Sequence, residues 1–369
     1  MAHDESGEHT RVVVIGAGQA GLSVAYYLQR LGLEPGVDFV VLDRGPSTGG
    51  AWQFRWRALR LGSAHRVNDL PGMADMGLSF DLADRTAPAR DVVSDYYERY
   101  ERYFGLRVRR PAEVDRVVDL GPDGGDELAV QYGGGHVLRT SILVNATGTW
   151  GSPFLPWYPG RDTFLGTQIS TSEYRSADDF ADRDVVVVGG GTSAIGFLLE
   201  LEKTARSTVW ATRRPIDWSD LEELGTERAI AAVAEQDDAA RHGRALPSIV
   251  SGTGVPLTRR NRAGIERGVL TRLPMFSALE PDGVRWKDGS FRHADAILWA
   301  TGFRPELRHL APLGLRGPEG GLEVARGASL TDSRLFFAGY GPQASTIGAN
   351  RAGRTIARQV VLALSQRSA

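Results

Sequence analysis

Short, unbroken apolar runs recur along the chain, and each leads into glycine. Val12–Ile15 lies in a predicted buried strand at Arg11–Ile15, followed by a helix from about Gly18 to Leu31 and a strand at Asp38–Leu42. The same order returns at Asp184–Val188 (strand), Thr192–Ala205 (helix) and Ser207–Ala211 (strand). Strand, helix and strand within about thirty residues predict a parallel sheet with right-handed crossovers. The Glu/Ala-rich stretch from Leu221 to Arg244 predicts a helix, and Ala245–Val255, with its Gly, Pro and Ser, a loop. A last strand at Leu335–Ala338 leads through Gly339-Tyr340-Gly341-Pro342 to a helix from about Thr346 to the C-terminus.

The repetition extends to residue identity. Val12-Val13-Val14-Ile15-Gly16-Ala17-Gly18-Gln19-Ala20-Gly21 returns as Val185-Val186-Val187-Val188-Gly189-Gly190-Gly191-Thr192-Ser193-Ala194. Each copy has its own later Ala-Thr-Gly after an apolar strand. Ile142–Asn145 precedes Ala146-Thr147-Gly148, and Ile297–Trp299 precedes Ala300-Thr301-Gly302. Two copies of one long unit indicate a duplicated nucleotide-binding domain; a solenoid would repeat every ~20–50 residues.

Chemistry can be attached to these glycines. Gly16 permits the tight strand-to-helix turn, Gly18 lets backbone approach a pyrophosphate, and Gly21 permits close helix packing. With Gln19 and Ala20 they present helix N–H groups and a positive dipole end to phosphate. Asp43 ends the next strand 22 residues after Gly21, where an acid accepts hydrogen bonds from ribose hydroxyls and repels a 2′-phosphate. In the second copy, Gly189, Gly191, Thr192, Ser193 and Ala194 form the turn. The equivalent strand end carries Arg213 and Arg214 instead of an acid, and a guanidinium there can hold a 2′-phosphate. One site therefore suits FAD and the other NADPH. The plainer alternatives are a tight turn beside a surface Asp, and two solvated arginines.

Composition narrows the choice further. Of the 369 residues 42% are apolar, enough for a large core, and the formal net charge of −2 argues against a nucleic-acid partner. There is no cysteine, which excludes disulfides, thiolate metal sites, cysteine nucleophiles and redox dithiols. The seven histidines show no metal-ligand spacing, only His65 lies near a site-like segment, and no serine-hydrolase elbow occurs. No metal is expected. The N-terminal MAHDESGEHT is polar and no apolar run approaches the ~20 residues of a membrane helix, so a cytoplasmic protein without membrane contact is the expectation.

Taken in order, the motifs resemble those of bacterial flavin-containing monooxygenases, within the class B flavoprotein monooxygenases that include Baeyer–Villiger enzymes. Gly49-Gly50-Ala51-Trp52 resembles their Gly-Gly-x-Trp element, and Ala146-Thr147-Gly148-Thr149-Trp150-Gly151-Ser152-Pro153 their linker. Phe164-Leu165-Gly166 and Tyr174 resemble the fingerprint ahead of their NADPH site. The resemblance implies an α/β fold of two Rossmann-like dinucleotide-binding domains, the NADPH domain (156–295) inserted between two parts of the FAD domain (1–155 and 296–369). It adds Arg44, Gly50, Ala51, Trp52, Ala146, Thr147, Gly148, Ala300, Thr301, Gly302, Gly339, Tyr340 and Thr346 to the candidate cofactor-binding residues. The implied activity is NADPH-dependent oxygenation of a small N- or S-nucleophile, or a ketone, through a C4a-hydroperoxyflavin. The expected partners are that substrate and dioxygen, and a homodimer is left open. The alternatives are a flavin- or ferredoxin-type reductase and a non-catalytic FAD-binding redox sensor. No residue is assigned as a catalytic acid or base. Three departures bear on oxygenation efficiency and substrate class: the family's fingerprint His falls at Ser170, its flavin-side Asn at Gly62, and Thr192 stands in the second glycine cluster where many relatives have Asn.

Overall fold

In the computed structural model, residues 8–64, 67–219, 226–247, 254–344 and 346–367 are described. Strand β1 (Glu8–Ile15) holds Val12, Val13 and Val14 with no exposed surface, and β2 (Phe39–Leu42) is buried at every position. Such unbroken burial is what a parallel sheet covered on both faces requires. Val12 and Val14 join one core with Leu22 and Leu28 of helix α1 (Gln19–Arg30) and Ile356 and Val360 of the C-terminal helix (Thr346–Arg367). Val13 and Ile15 face a second core on the opposite side. Helix α2 (Ala89–Phe104) packs Val93, Tyr97 and Tyr100 into the first of these.

Two sheets organise the chain. In the first, β3 (Val114–Asp119) pairs antiparallel with β4 (Leu128–Tyr132), which pairs antiparallel along the first half of the long strand β5 (His136–Asn145). In the second, β6 (Thr167–Ser170), β7 (Asp184–Val188), β8 (Ser207–Thr212), β9 (Arg272–Pro274) and β10 (Ala296–Trp299) are all parallel, in the order β9-β8-β7-β10-β6. Back in the first sheet, β11 (Leu335–Phe337) completes the parallel order β11-β5-β1-β2.

Several boundaries shift from expectation. Helix α3 (Thr192–Leu201) stops short of Ala205 because Thr204 and Arg206 are held by backbone hydrogen bonds to Asp182 and Arg183, just ahead of β7. Helix α4 (Thr226–Arg241) lies within the expected helical stretch, whose residues 221–225 fall outside the described ones. Of the expected loop, 248–253 are likewise outside, and Val255 pairs with Trp218 in a short two-stranded sheet. A sequence boundary at 296 assigns β10 to the first sheet, but β10 is hydrogen-bonded into the second, with Trp299 opposite both Ser170 and Val188. The repeat explains why. In each unit the strand ahead of Ala-Thr-Gly lies beside the strand ahead of the glycine turn, β5 beside β1 and β10 beside β7.

The chain passes between sheets twice, and the two passages run side by side. Pro153 and Phe303 form an antiparallel bridge, Phe154 N–H donates to Gly302 O at 2.9 Å, and Arg304 N–H donates to Ser152 O at 2.8 Å. Thr147 Oγ1 donates to Glu306 O at 2.7 Å, and Thr301 Oγ1 to Phe154 O. This crossing fastens the second unit to the first.

Candidate cofactor and active site

The first glycine turn is shaped by its neighbours. Gly16 has φ +104°, its N–H donates to Leu42 O at 2.7 Å, and a Cβ would stand 2.5 Å from the Ala146 carbonyl oxygen. A Cβ at Gly21 would overlap the Gly16 carbonyl oxygen. Both glycines are thus required by packing alone. Gly18 differs. It caps α1, no side chain caps that helix, and a Cβ there would meet only Gly50 Cα, at 3.9 Å. The unfilled space in front of an uncapped helix start fits a pyrophosphate. Gly50 faces it so closely that its own Cβ would lie 2.6 Å from Gly18 Cα.

Asp43 closes the end of β2, almost fully buried. Its Oδ2 accepts from Ala17 N–H at 2.7 Å and its Oδ1 from Gly45 N–H at 2.8 Å. The acid therefore organises the turn itself, with one lone pair left on each oxygen for a ligand hydroxyl. Behind it Arg110 Nε lies 3.6 Å away, and the Arg110 fork is held by Glu101 at 2.7 and 2.9 Å. Burial raises the Glu101 carboxyl above its usual range, with the Arg110 hydrogen bonds opposing.

The second turn repeats the construction. Gly189 has φ +134°, donates to Ala211 O at 3.0 Å, and a Cβ would overlap the Ala300 carbonyl. Ala300 N–H donates to Val188 O as Ala146 N–H does to Ile15 O, both at 2.8 Å. Gly191 caps α3 without side-chain help, and Thr192, Ser193 and Ala194 form its first turn. At the equivalent strand end Arg213 and Arg214 are exposed, with no ion pair among the described residues. Thr212 Oγ1 donates to Arg214 O at 2.7 Å and fixes the turn that presents them.

A cleft of about 500 Å³ opens at the C-terminal ends of the first sheet. It brings together Gly16, Gly18, Gln19, Ala20, Asp43, Arg44, Gly50, Ala51, Trp52, Ala146, Thr147, Gly148 and Gly339 from the sequence-derived set. Gln19 Nε2 reaches Asn350 of the C-terminal helix at 3.4 Å. Thr346 opens that helix. Tyr340 does not line the cleft: it packs against Phe337 in the core and its hydroxyl accepts from Leu322 N–H at 3.0 Å. Ser170 is buried at the end of β6, its N–H and Oγ both donating to Glu173 Oε2 at 2.8 and 2.7 Å, outside the cleft. Gly62 stands against Arg85 in a separate shallow depression, and His65 lies outside the described residues.

The cleft also holds residues that sequence reasoning passed over. His309 is buried with Nε2 2.8 Å from Asn145 Oδ1, and burial pushes its imidazole down to about 4, so it is neutral at pH 7. Glu306 accepts from Arg308 at 3.0 and 3.1 Å. Arg55 stacks on Trp150, which stacks on Phe303. Arg55 follows Trp52 by three residues at the end of a 3₁₀ turn, a spacing legible in the sequence; the partners of His309 and Trp150 were not. Folding also brings Asp184, His293 and Asp295 together, but Arg206 already bonds both carboxylates.

Outside the cleft, Trp56 Nε1–H and Tyr174 O–H donate to Glu200 of α3 at 2.8 and 3.1 Å, tying the first unit's loop to the second unit's core. No helix among the described residues is long and apolar enough to cross a membrane.

Comparison with known proteins places this geometry. Residues 13–225 match the family model of the pyridine nucleotide-disulphide oxidoreductases. A flavin-containing monooxygenase from Stenotrophomonas maltophilia is 32% identical with a TM-score of 0.77, over 96% of this chain and 99% of that one. Indole-3-pyruvate monooxygenase YUCCA1 of Oryza sativa is 28% identical over 80% of this chain and 77% of that protein. The oxidoreductase CzcO of Bacillus subtilis is 26% identical over 89% and 90%. Cyclohexanone monooxygenase, at 17% identity and a TM-score of 0.65, shares the fold. FAD and NADPH are the cofactors of these flavoenzymes. With its cysteine-free sequence, two glycine turns and full-length match to a flavin-containing monooxygenase, the chain belongs to the pyridine nucleotide-disulphide oxidoreductase family as a flavin monooxygenase-type enzyme.

Proposed function

We propose that this enzyme is an NADPH-dependent FAD monooxygenase that oxygenates a small nitrogen or sulfur nucleophile, or a ketone. The observation that carries the reading is the pair of like-built glycine turns with unlike strand ends, a buried Asp43 in one and free Arg213 and Arg214 in the other. Asp43 disfavours a 2′-phosphate and the arginines favour one. FAD would be held by Gly16, Gly18, the start of α1, Asp43, Arg44, Gly50, Ala51, Trp52, Ala146–Gly148 and Gly339. NADPH would be held by Gly189, Gly191, Thr192–Ala194, Arg213 and Arg214, with Ala300–Gly302 at the crossing. The FAD domain then comprises the first sheet on either side of an NADPH domain of about residues 156–299, a division that follows the strand pairing.

When bound, the flavin supplies the redox and oxygen-activating chemistry. The chain's own part is to hold both dinucleotides, to keep them aligned through the paired crossings, and to shield the junction from water with Trp150 and Phe303. Two of the related enzymes carry monooxygenase names, one for indole-3-pyruvate, which supports oxygen insertion over simple electron transfer.

The test is NADPH oxidation under labelled dioxygen with a thioether, an amine and a ketone offered in turn. Stimulated NADPH use with one labelled oxygen in the product is expected. NADPH consumption that no substrate stimulates, with peroxide as the sole oxygen product, would overturn the reading.

A further inference from the structure

Arg55 is a half-buried cation without a counter-charge among the described residues. Its guanidinium carbon lies 4.0 Å from the Trp150 ring centroid and 5.5 Å from that of Trp52. Trp150 stacks on Phe303 at 5.0 Å and 26°. Trp150 belongs to the outgoing crossing and Phe303 to the returning one, so the stack stands at the junction of the two units, and all four residues line the cleft. No carboxylate pairs with Arg55 among the described residues, and its Nε is buried with no hydrogen-bond partner. Burial pushes the guanidinium down to about 10, which leaves it charged at neutral pH.

Other inward-facing arginines are built differently: Arg110 is forked by Glu101, and Arg334 by Asp119 and Asp332. A donor N–H shut away from water without an acceptor, as at the Arg55 Nε, is costly to keep. Rings on the guanidinium face satisfy its quadrupole attraction but use none of its in-plane N–H donors. Those donors lie at the edge, in the fork geometry that matches a carboxylate. On the proposed function both cofactors would place their phosphates elsewhere, at Gly16, Gly18 and Gly50, and at Gly189, Arg213 and Arg214. The Arg55 edge is thus left open to a ligand group other than those phosphates.

We propose that Arg55 is the anion-recognising residue of the substrate site and that the substrate is a small organic acid whose carboxylate its fork receives, with Trp150 and Phe303 walling the apolar part. The proposal rests on the monooxygenase reading for the word substrate, but the binding site it names does not depend on turnover.

Two probe pairs test it on the flavin-loaded protein: benzoate against benzamide, and phenylacetate against phenylacetamide, followed by tryptophan fluorescence and the flavin spectrum without NADPH. The acids should bind at least about ten-fold tighter than their amides. Arg55→Gln should abolish that preference, Arg55→Met should do the same while keeping the stem packed between the rings, and Arg55→Lys should retain part of it. FAD content and the NADPH KM should not change. In turnover, the kcat/KM ratio for 4-(methylthio)benzoate over thioanisole should fall roughly ten- to hundred-fold in Arg55→Gln. Equal binding of acid and amide by the unaltered protein would overturn the proposal. So would loss of FAD from the folded variants, which would give the guanidinium to the flavin, or a raised NADPH KM, which would give it to the other cofactor. Arg55-dependent acid binding with no oxygenated product would uphold the anion site and sink the monooxygenase reading instead.

Discussion

His309 should make the protein acid-sensitive in a window where most side chains do not titrate. It is buried, its Nε2–H donates to Asn145 Oδ1, and burial pushes the imidazole down to about 4 from an ordinary 6.5, Arg308 and Arg44 adding to the effect and Glu306 opposing it. The unfolded chain takes up its proton near the ordinary value, the folded chain only near the depressed one. Between the two the unfolded state binds more protons, so stability falls as pH falls. A gap of roughly 2.5 units at about 1.4 kcal/mol each removes about 3 kcal/mol, complete once pH passes below about 4. His309→Gln keeps an N–H donor for Asn145 and cannot titrate. Urea unfolding of both proteins from about pH 7.5 to about pH 4 reads the difference, and carboxylates common to both cancel. The gap in unfolding free energy between wild type and variant should move by about 3 kcal/mol across the range, to the disadvantage of wild type at low pH. Parallel curves would refute the buried neutral imidazole.

Three further outcomes are expected. Gly18→Val places its side chain in open space and should fold normally, yet purify without FAD; a yellow, fully loaded variant would remove the pyrophosphate from this turn. Replacing Arg213 and Arg214 with Ala should cost roughly ten- to hundred-fold in kcat/KM for NADPH and leave NADH nearly untouched, and equal loss with both coenzymes would show that the arginines do not contact the 2′-phosphate. Glu200→Ala strands the Trp56 and Tyr174 donors and should lower unfolding free energy by about 2–4 kcal/mol, with Glu200→Gln losing much less; a cost under about 1 kcal/mol would mean the node does not join the two units.

Local requirements left their mark on the sequence. A strand covered on both faces must be apolar throughout, and a turn at φ +104° must be glycine, so β1, β7 and both glycine turns are legible from neighbouring residues. The sign of charge at the two strand ends is equally local, since Asp43 and Arg213 stand at a near-constant spacing from their turns. The repeat also announces two α/β units. What the sequence could not reveal depends on which distant segments meet. Gly16 needs its missing Cβ because of Ala146, and Gly189 because of Ala300. Both Asp43 oxygens are engaged by the turn they face, and β10 belongs to the second sheet because its edge fits beside β7. Tyr340, next to a cleft glycine, turns into the core because Leu322 offers its hydroxyl a buried donor. Arg55 has a meaning only once the two crossings bring Trp150 and Phe303 to it, and His309 only once it reaches Asn145, 164 residues away. Spacing along a chain encodes backbone conformation and one-sided burial; the loss of water around a charged or titrating group is set by everything packed against it, and that is decided in three dimensions.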